Sequence, residues 1–255
     1  MIRRRAGHQI LGMLGSAAHT VATRGHALAW TSCFPDRRAY YAACYRLRKA
    51  GLVAYRRDGG AVPVMYLTDA GESAVSPALR RHSPWPKSWD GLWRMLLYDV
   101  PEKDRAYRES LRAFLKRMRM GCLQRSVWIT PRDIRPDFED LQEAASVGDY
   151  AFLFESRTVL GQRAEVLVKT AWNMDELGRN QARYIEQNAE RSDRVRSACC
   201  TPSDLANLAR ADTLSFLAAM DKDPFLPRPL WPRGYRGEEA RRVHRLLGEE
   251  IARRL

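Results

Sequence analysis

Residues 36–51 read Asp36-Arg37-Arg38-Ala39-Tyr40-Tyr41-Ala42-Ala43-Cys44-Tyr45-Arg46-Leu47-Arg48-Lys49-Ala50-Gly51. The run predicts a helix marked at both ends, with Asp36 as its N-cap and Gly51 as the residue that stops it. At helical spacing, Ala39, Ala43, Leu47 and Ala50 fall on one small apolar stripe, and Arg37, Tyr41, Cys44 and Arg48 fall on nearly the opposite one. One side packs and the other reads. Beyond Gly51, Leu52 to Arg57 reads as a strand, Asp58-Gly59-Gly60 as a tight turn, and Val64 to Thr68 as the returning strand. Upstream, a helix is expected around residues 6–18 and a turn near Trp30–Pro35. Helices followed by a hairpin make a winged helix-turn-helix. Leu67-Thr68-Asp69-Ala70-Gly71 then closes the hairpin and opens another helix, with Thr68 or Asp69 as its cap.

The charge distribution agrees with a reading role for this region. Across 255 residues, 43 Lys and Arg oppose 30 Asp and Glu, a net charge of +13. Residues 1–82 hold 13 basic and 4 acidic side chains (+9), whereas residues 83–172 and 173–255 each hold 15 and 13 (+2). A concentrated basic module binds a polyanion by releasing its counterions, so a terminal DNA-binding unit is the leading expectation. The candidate contacts are Arg37, Tyr41, Tyr45 and Arg48, aimed at the major groove, with Arg38 and Tyr40 beside them. Arg56 and Arg57 precede the turn, where a wing tip meets phosphate or the minor groove. Arg3-Arg4-Arg5 reads either as a minor-groove arm or as a disordered start. The competing account of all these side chains is a solvated basic face.

Several classes are disfavoured. Five cysteines, Cys33, Cys44, Cys122, Cys199 and Cys200, form no Cys-x-x-Cys pair and do not cluster with the five histidines, which points to a reducing compartment and no structural zinc. No run approaches the roughly 18 apolar residues of a membrane span. Residues 6–23, behind the three arginines, have the outline of an export leader, but His8, Gln9, His19, Thr20 and Thr23 interrupt them; a packed helix is the better reading. There is no Gly-x-Ser-x-Gly, His-Glu-x-x-His, phosphate loop or Gly-x-Gly-x-x-Gly.

The prolines and tryptophans of Ser83-Pro84-Trp85-Pro86-Lys87-Ser88-Trp89 read as a linker. After it, Leu92 to Val100 predicts a buried strand, Lys103 to Met118 a helix ended by Gly121, Leu123 to Thr130 a strand, Phe138 to Val147 a helix, and Tyr150 to Glu155 a strand. This β-α-β-α-β order predicts a ferredoxin-like α+β sandwich. From Arg163 onward the pattern is mostly helical: Trp172 and Leu177 share one helix, Leu205 to Met220 forms a second, and Gly237 to Leu255 a third. Four prolines punctuate residues 221–232. Trp85, Trp89, Trp93, Trp128, Trp172 and Trp231 would either wall an aromatic or acyl-CoA pocket or pack the core.

Three segments carry a family resemblance. They are Arg38-Ala39 through Arg46-Leu47-Arg48-Lys49-Ala50-Gly51-Leu52 with Tyr66-Leu67-Thr68; Trp89-Asp90-Gly91-Leu92-Trp93-Arg94 leading through Asp99-Val100-Pro101-Glu102 and Leu111-Arg112 to Leu123-Gln124-Arg125-Ser126-Val127-Trp128; and Ala171-Trp172-Asn173 with Asp223-Pro224-Phe225-Leu226-Pro227-Arg228-Pro229-Leu230-Trp231-Pro232 and Gly237. In order and spacing the chain resembles the PaaX-like transcriptional repressors along nearly its whole length. The resemblance implies a dimeric winged-helix repressor with a central domain similar to the Cas2 nucleases and a helical C-terminal domain. It also implies an effector; founding members serve phenylacetate catabolism and release DNA on binding phenylacetyl-coenzyme A.

The expected fold is therefore multidomain α+β: an N-terminal winged helix-turn-helix (1–82), a Pro/Trp linker (83–92), a central ferredoxin-like, Cas2-like α/β sandwich (93–162) and a mostly helical C-terminal domain (163–255). The expected function is a cytoplasmic, homodimeric regulator of a catabolic operon, binding a double-stranded DNA operator and released by an (aryl)acyl-CoA, with no cofactor and no metal. The rival is a metal-dependent nuclease using Asp99, because an aspartate after the first strand holds a divalent metal in the Cas2 nucleases. Spacing marks no second carboxylate, and capping the helix after Pro101 is the plainer role for Asp99.

Overall fold

The computed structural model describes residues 10–12, 14–15, 37–56, 64–80, 83–139, 151–159, 161–197 and 200–254. The expected turn at 30–35, the arginines at 3–5, Cys33, Cys199, the wing tip with Arg57, and most of the helix at 138–147 lie outside them. The chain forms two compact units: Met1–Pro84 with Asn180–Asp221 and Arg236–Leu255, and Trp85–Arg179 with Lys222–Tyr235. Among the described residues, no helix is long and apolar enough to cross a membrane.

In the first unit, helix α1 (Arg37–Lys49) ends in a Schellman motif. Gly51 sits at φ +69°, its N–H donates to Arg48 O at 2.9 Å, and Leu52 N donates to Leu47 O at 3.0 Å. Strands β1 (Val53–Arg56) and β2 (Val64–Leu67) pair antiparallel, Val53 opposite Leu67 and Arg56 opposite Val64. Thr68 caps α2 (Asp69–Ala74): its Oγ1 accepts from Gly71 N at 3.1 Å and donates to Gly51 O at 2.5 Å. One threonine thus ties the end of α1 to the start of α2. Gly71 is needed beside it, because a Cβ there would lie 2.0 Å from Leu52 O. Residues 10–12 and 14–15 are helical, with Ile10, Leu11 and Leu14 buried.

The same unit contains α5 (Met174–Arg196) from residue 180 onward, α6 (Pro202–Met220) and α7 (Gly237–Arg254). A capping box between Thr201 and Asp204, with Pro202 in the first turn, fixes the start of α6. Val195, Leu205, Leu208, Leu247 and Ile251 form an apolar core. Beside it lies a buried polar cluster. Asp212 accepts from Tyr184 Oη at 2.9 Å and Asn188 Nδ2 at 3.2 Å, and lies 3.4 Å from Arg191 Nη1. His244 pairs with Asp212 and stacks on Phe216, ring centroids 4.2 Å apart. Arg241 on α7 donates to the carbonyls of Ala78 and Arg80, at 3.1 and 2.6 Å. Likewise, a Cβ on Gly12 would meet Leu217 of α6 at 3.2 Å. The last helices and the N-terminal elements therefore share one folded body.

The second unit is built on a four-stranded antiparallel sheet of order β4-β5-β3-β6, formed by β3 (Trp93–Tyr98), β4 (Gly121–Gln124), β5 (Val127–Thr130) and β6 (Ala151–Ser156). Helix α3 (Arg105–Arg117) crosses from β3 to β4. Second strand, third, first, fourth is the ferredoxin-like order, and it corrects the expected element count. The run from Leu123 to Thr130 is two strands, turning at Arg125-Ser126, where Tyr98 N donates to Ser126 O at 3.1 Å. Gly121 does not end α3. Arg119 does, at φ +57°, with Met120 N donating to Leu115 O at 3.1 Å. Gly121 instead opens β4, where a Cβ would lie 2.5 Å from Ala171 Cβ and 2.6 Å from the Trp172 ring. The expected helix through Trp172 and Leu177 is also two, α4 (Ala164–Trp172) and α5, broken at Asn173 in the left-handed region (φ +48°).

The Trp89–Arg94 motif is architectural. Asp90 Oδ1 accepts from Leu92 N at 2.9 Å, Gly91 takes φ +78°, and Trp89 Nε1 donates to Leu92 O at 3.0 Å. The turn delivers Arg94, which is buried, between Asp90 (2.6 Å) and Glu155 of β6 (2.9 Å). The proline-rich segment is architectural as well. Leu226 and Leu230 join Trp93, Ile129, Leu167 and Val168 in one core, and Asp223, fully buried, accepts from Tyr235 Oη at 2.6 Å and Phe225 N at 2.8 Å. Burial raises the Asp223 carboxyl to about 6.

Candidate nucleic-acid interface

Helix α1 presents Arg38, Tyr41, Tyr45 and Arg48 to solvent on one side, at positions i, i+3, i+7 and i+10. Tyr41 is 58% and Tyr45 66% exposed, a large aromatic surface left to solvent. The opposite side is rotated from the expected stripe. Tyr40 (4%), Ala43, Cys44 and Leu47 are the buried residues, and Ala50 is exposed. Two expectations are therefore corrected: Tyr40 and Cys44 belong to the packing side. Tyr40 can turn inward because its ring is apolar, and it packs edge-on to Tyr41 at 5.4 Å. Its phenol is raised by burial and by Cys44, and burial likewise raises the Cys44 thiol. Arg37 begins α1, but its side chain lies outside the described set, as does the whole of Arg57.

The hairpin adds two residues that the sequence reading missed. Arg48 lies over the Tyr55 ring, 5.7 Å from its centroid, and Arg56 over the Tyr66 ring at 5.8 Å. Both tyrosines are 40% exposed. The available signal was a tyrosine in each strand of a hairpin too short to bury it. The face thus combines guanidinium groups with exposed aromatic rings, a composition suited to phosphates and base edges.

Asp99 directly follows β3 and is exposed. It does not cap a helix as expected: a short 3-10 turn at Glu102–Asp104 intervenes, and α3 starts at Arg105 with Asp104 as its N-cap residue. Among the described residues no three His, Cys, Asp or Glu side chains gather as a metal site. The tryptophans contribute to packing among the described residues. Trp85, Trp93 and Trp128 are buried, and Trp85 meets Phe225, Trp231 and Tyr235 edge-on, with Trp85 Nε1 donating to Tyr235 Oη.

Comparison with curated proteins returned no match. Among solved structures the chain is similar to an uncharacterized protein, Rv0674, of Mycobacterium tuberculosis, with 21% identity, a TM-score of 0.62, and 96% of this chain and 94% of that one covered. That likeness concerns the fold. Residues 86–168, about a third of the chain, match the family model described as the PaaX protein central Cas2-like domain. This span holds the Trp89–Arg94 clamp and the whole β4-β5-β3-β6 sheet. The likeness of this chain to that family rests on these residues.

Proposed function

We propose that the protein is a DNA-binding transcriptional regulator, and more specifically a homodimeric repressor of a catabolic operon that an (aryl)acyl-CoA releases from its operator. The observation that carries this reading is the outward face of α1, with Arg38, Tyr41, Tyr45 and Arg48 exposed together and an antiparallel hairpin following. The +9 surplus of residues 1–82 and the PaaX-like central domain support it. In this reading residues 1–82 are a winged helix-turn-helix reader, 83–92 a linker, 93–162 the sandwich and 163–255 a helical domain, and the protein works in the cytoplasm. An effector that prefers a dimer geometry with misplaced reading helices lowers DNA affinity by its differential affinity for the two states.

The test is selection of bound duplexes from a random pool by the purified full chain. Enrichment of twofold-symmetric sequences with half-sites about one helical turn apart is expected. Retention with no sequence enrichment would count against a specific regulator. Running the selected duplex with magnesium and with chelator separates the enzyme reading: cleavage that Asp99→Ala abolishes would replace the regulator by a nuclease.

A further inference from the structure

We infer that Tyr55 and Tyr66 are positioning residues of the reading face, each holding an arginine in a fixed plane ahead of contact with nucleic acid. The inference rests on the DNA-binding reading and deepens it. A free arginine must give up much rotamer freedom when it grips a phosphate or a guanine edge. A guanidinium already lying over an aromatic ring has lost part of that freedom in the folded protein, so binding costs less.

The geometry is specific to the two arginines that matter. Arg48 comes from α1 and Arg56 from β1, one from each half of the helix-and-hairpin module, yet each lies over a wing tyrosine at nearly the same distance, 5.7 and 5.8 Å. The register puts the two tyrosines on opposite faces of the hairpin. Tyr55 is opposite Met65, which is buried, and Tyr66 is opposite Ala54, on the face that Arg56 shares. Tyr55 shares the hairpin face of the buried Met65, and burial raises its phenol. It is still 40% exposed, which leaves ring surface available to Arg48 on α1. Tyr66 holds Arg56 from the neighbouring strand.

The experiment is a double-mutant cycle on full-length protein, using the duplex selected from the random pool. Tyr55→Leu is expected to weaken binding about two- to fivefold, the range of an exposed cation–π contact, and Tyr66→Leu by a similar factor. Tyr55→Phe, which keeps the ring, restores most of the loss. In the Arg48→Ala background, Tyr55→Leu adds nothing further, because its only role is to hold that arginine; a merely structural tyrosine would add its full cost. In the free protein, the Arg48 side-chain protons are shifted upfield by the ring and lose that shift in Tyr55→Leu. Wild-type binding that Tyr55→Leu leaves unchanged, or a loss fully additive with Arg48→Ala, overturns the inference alone. A wild-type protein that retains no duplex at all overturns the DNA-binding reading and the inference together.

Discussion

Nδ1 of His244 lies 2.5 Å from Oδ2 of Asp212, and both side chains are buried. The contact joins α7 to α6, and Tyr184 and Asn188 bring in α5 through the same carboxylate. The Tyr184 phenol is held far above its usual range, by burial first and then by the charge of Asp212. Replacing the carboxylate strands four polar partners in a low-dielectric interior. Asp212→Ala should cost about 3–5 kcal/mol, the usual penalty for breaking a buried charged pair. Denaturant unfolding checks this, and a loss below ~1 kcal/mol would show that the cluster is not a structural centre.

Asp223 predicts a pH dependence. Its folded-state value of about 6 lies above the ordinary 3.8, so the folded state binds its proton more tightly than the unfolded chain does. The stability it contributes is complete below about pH 4 and is lost as pH rises through about 6, some 2–3 kcal/mol in all. Asp223→Asn should remove this slope, leaving stability flatter between pH 4 and 6 than in the wild type. Thermal unfolding across that range provides the comparison.

Two glycines separate steric from conformational cost. A Cβ at Gly71 would press on the Leu52 carbonyl, a backbone atom with nowhere to go, whereas Gly51 has open space and only a positive φ. Gly71→Ala should therefore destabilise by about 3 kcal/mol or more and weaken DNA retention with it. Gly51→Ala should cost only about 1 kcal/mol. Equal midpoints for the two variants would contradict the close approach.

Arg48→Ala should weaken specific binding by about 1–3 kcal/mol if Arg48 touches a base, and mainly reduce the salt slope if it touches phosphate. Titrations at several salt concentrations distinguish these. Unchanged affinity at every salt concentration removes Arg48 from the interface.

Much of this was legible because local chemistry left few choices. Gly51 after a basic helix and Thr68 three residues before Gly71 each announce a cap. The two short strands of the hairpin follow from their composition. The turn at Arg125-Ser126 had no glycine or proline to mark it, and it was set by the pairing of β5 with β3 and by Tyr98 bonding back to Arg125 O at 2.9 Å. The break at Asn173 carried a faint signal, since asparagine tolerates the left-handed region, but the apolar pattern runs through it. Tyr40 was misplaced because a tyrosine suits either side of an amphipathic helix, and only the tertiary fold decides which.

The Arg241 contacts with Ala78 and Arg80 have a consequence for synthesis. The body that holds α1 draws on residues 180–221 and 236–255, far along the chain from that helix. Until those residues are made, its N-terminal elements lack part of their packing surface. The body closes through contacts between residues distant in sequence, which form slowly. It also cannot be moved to another protein by a single gene fusion. A graft of residues 1–84 alone would lack Thr213 and Leu217, which lie against Gly12, and Arg241, which holds the carbonyls of Ala78 and Arg80.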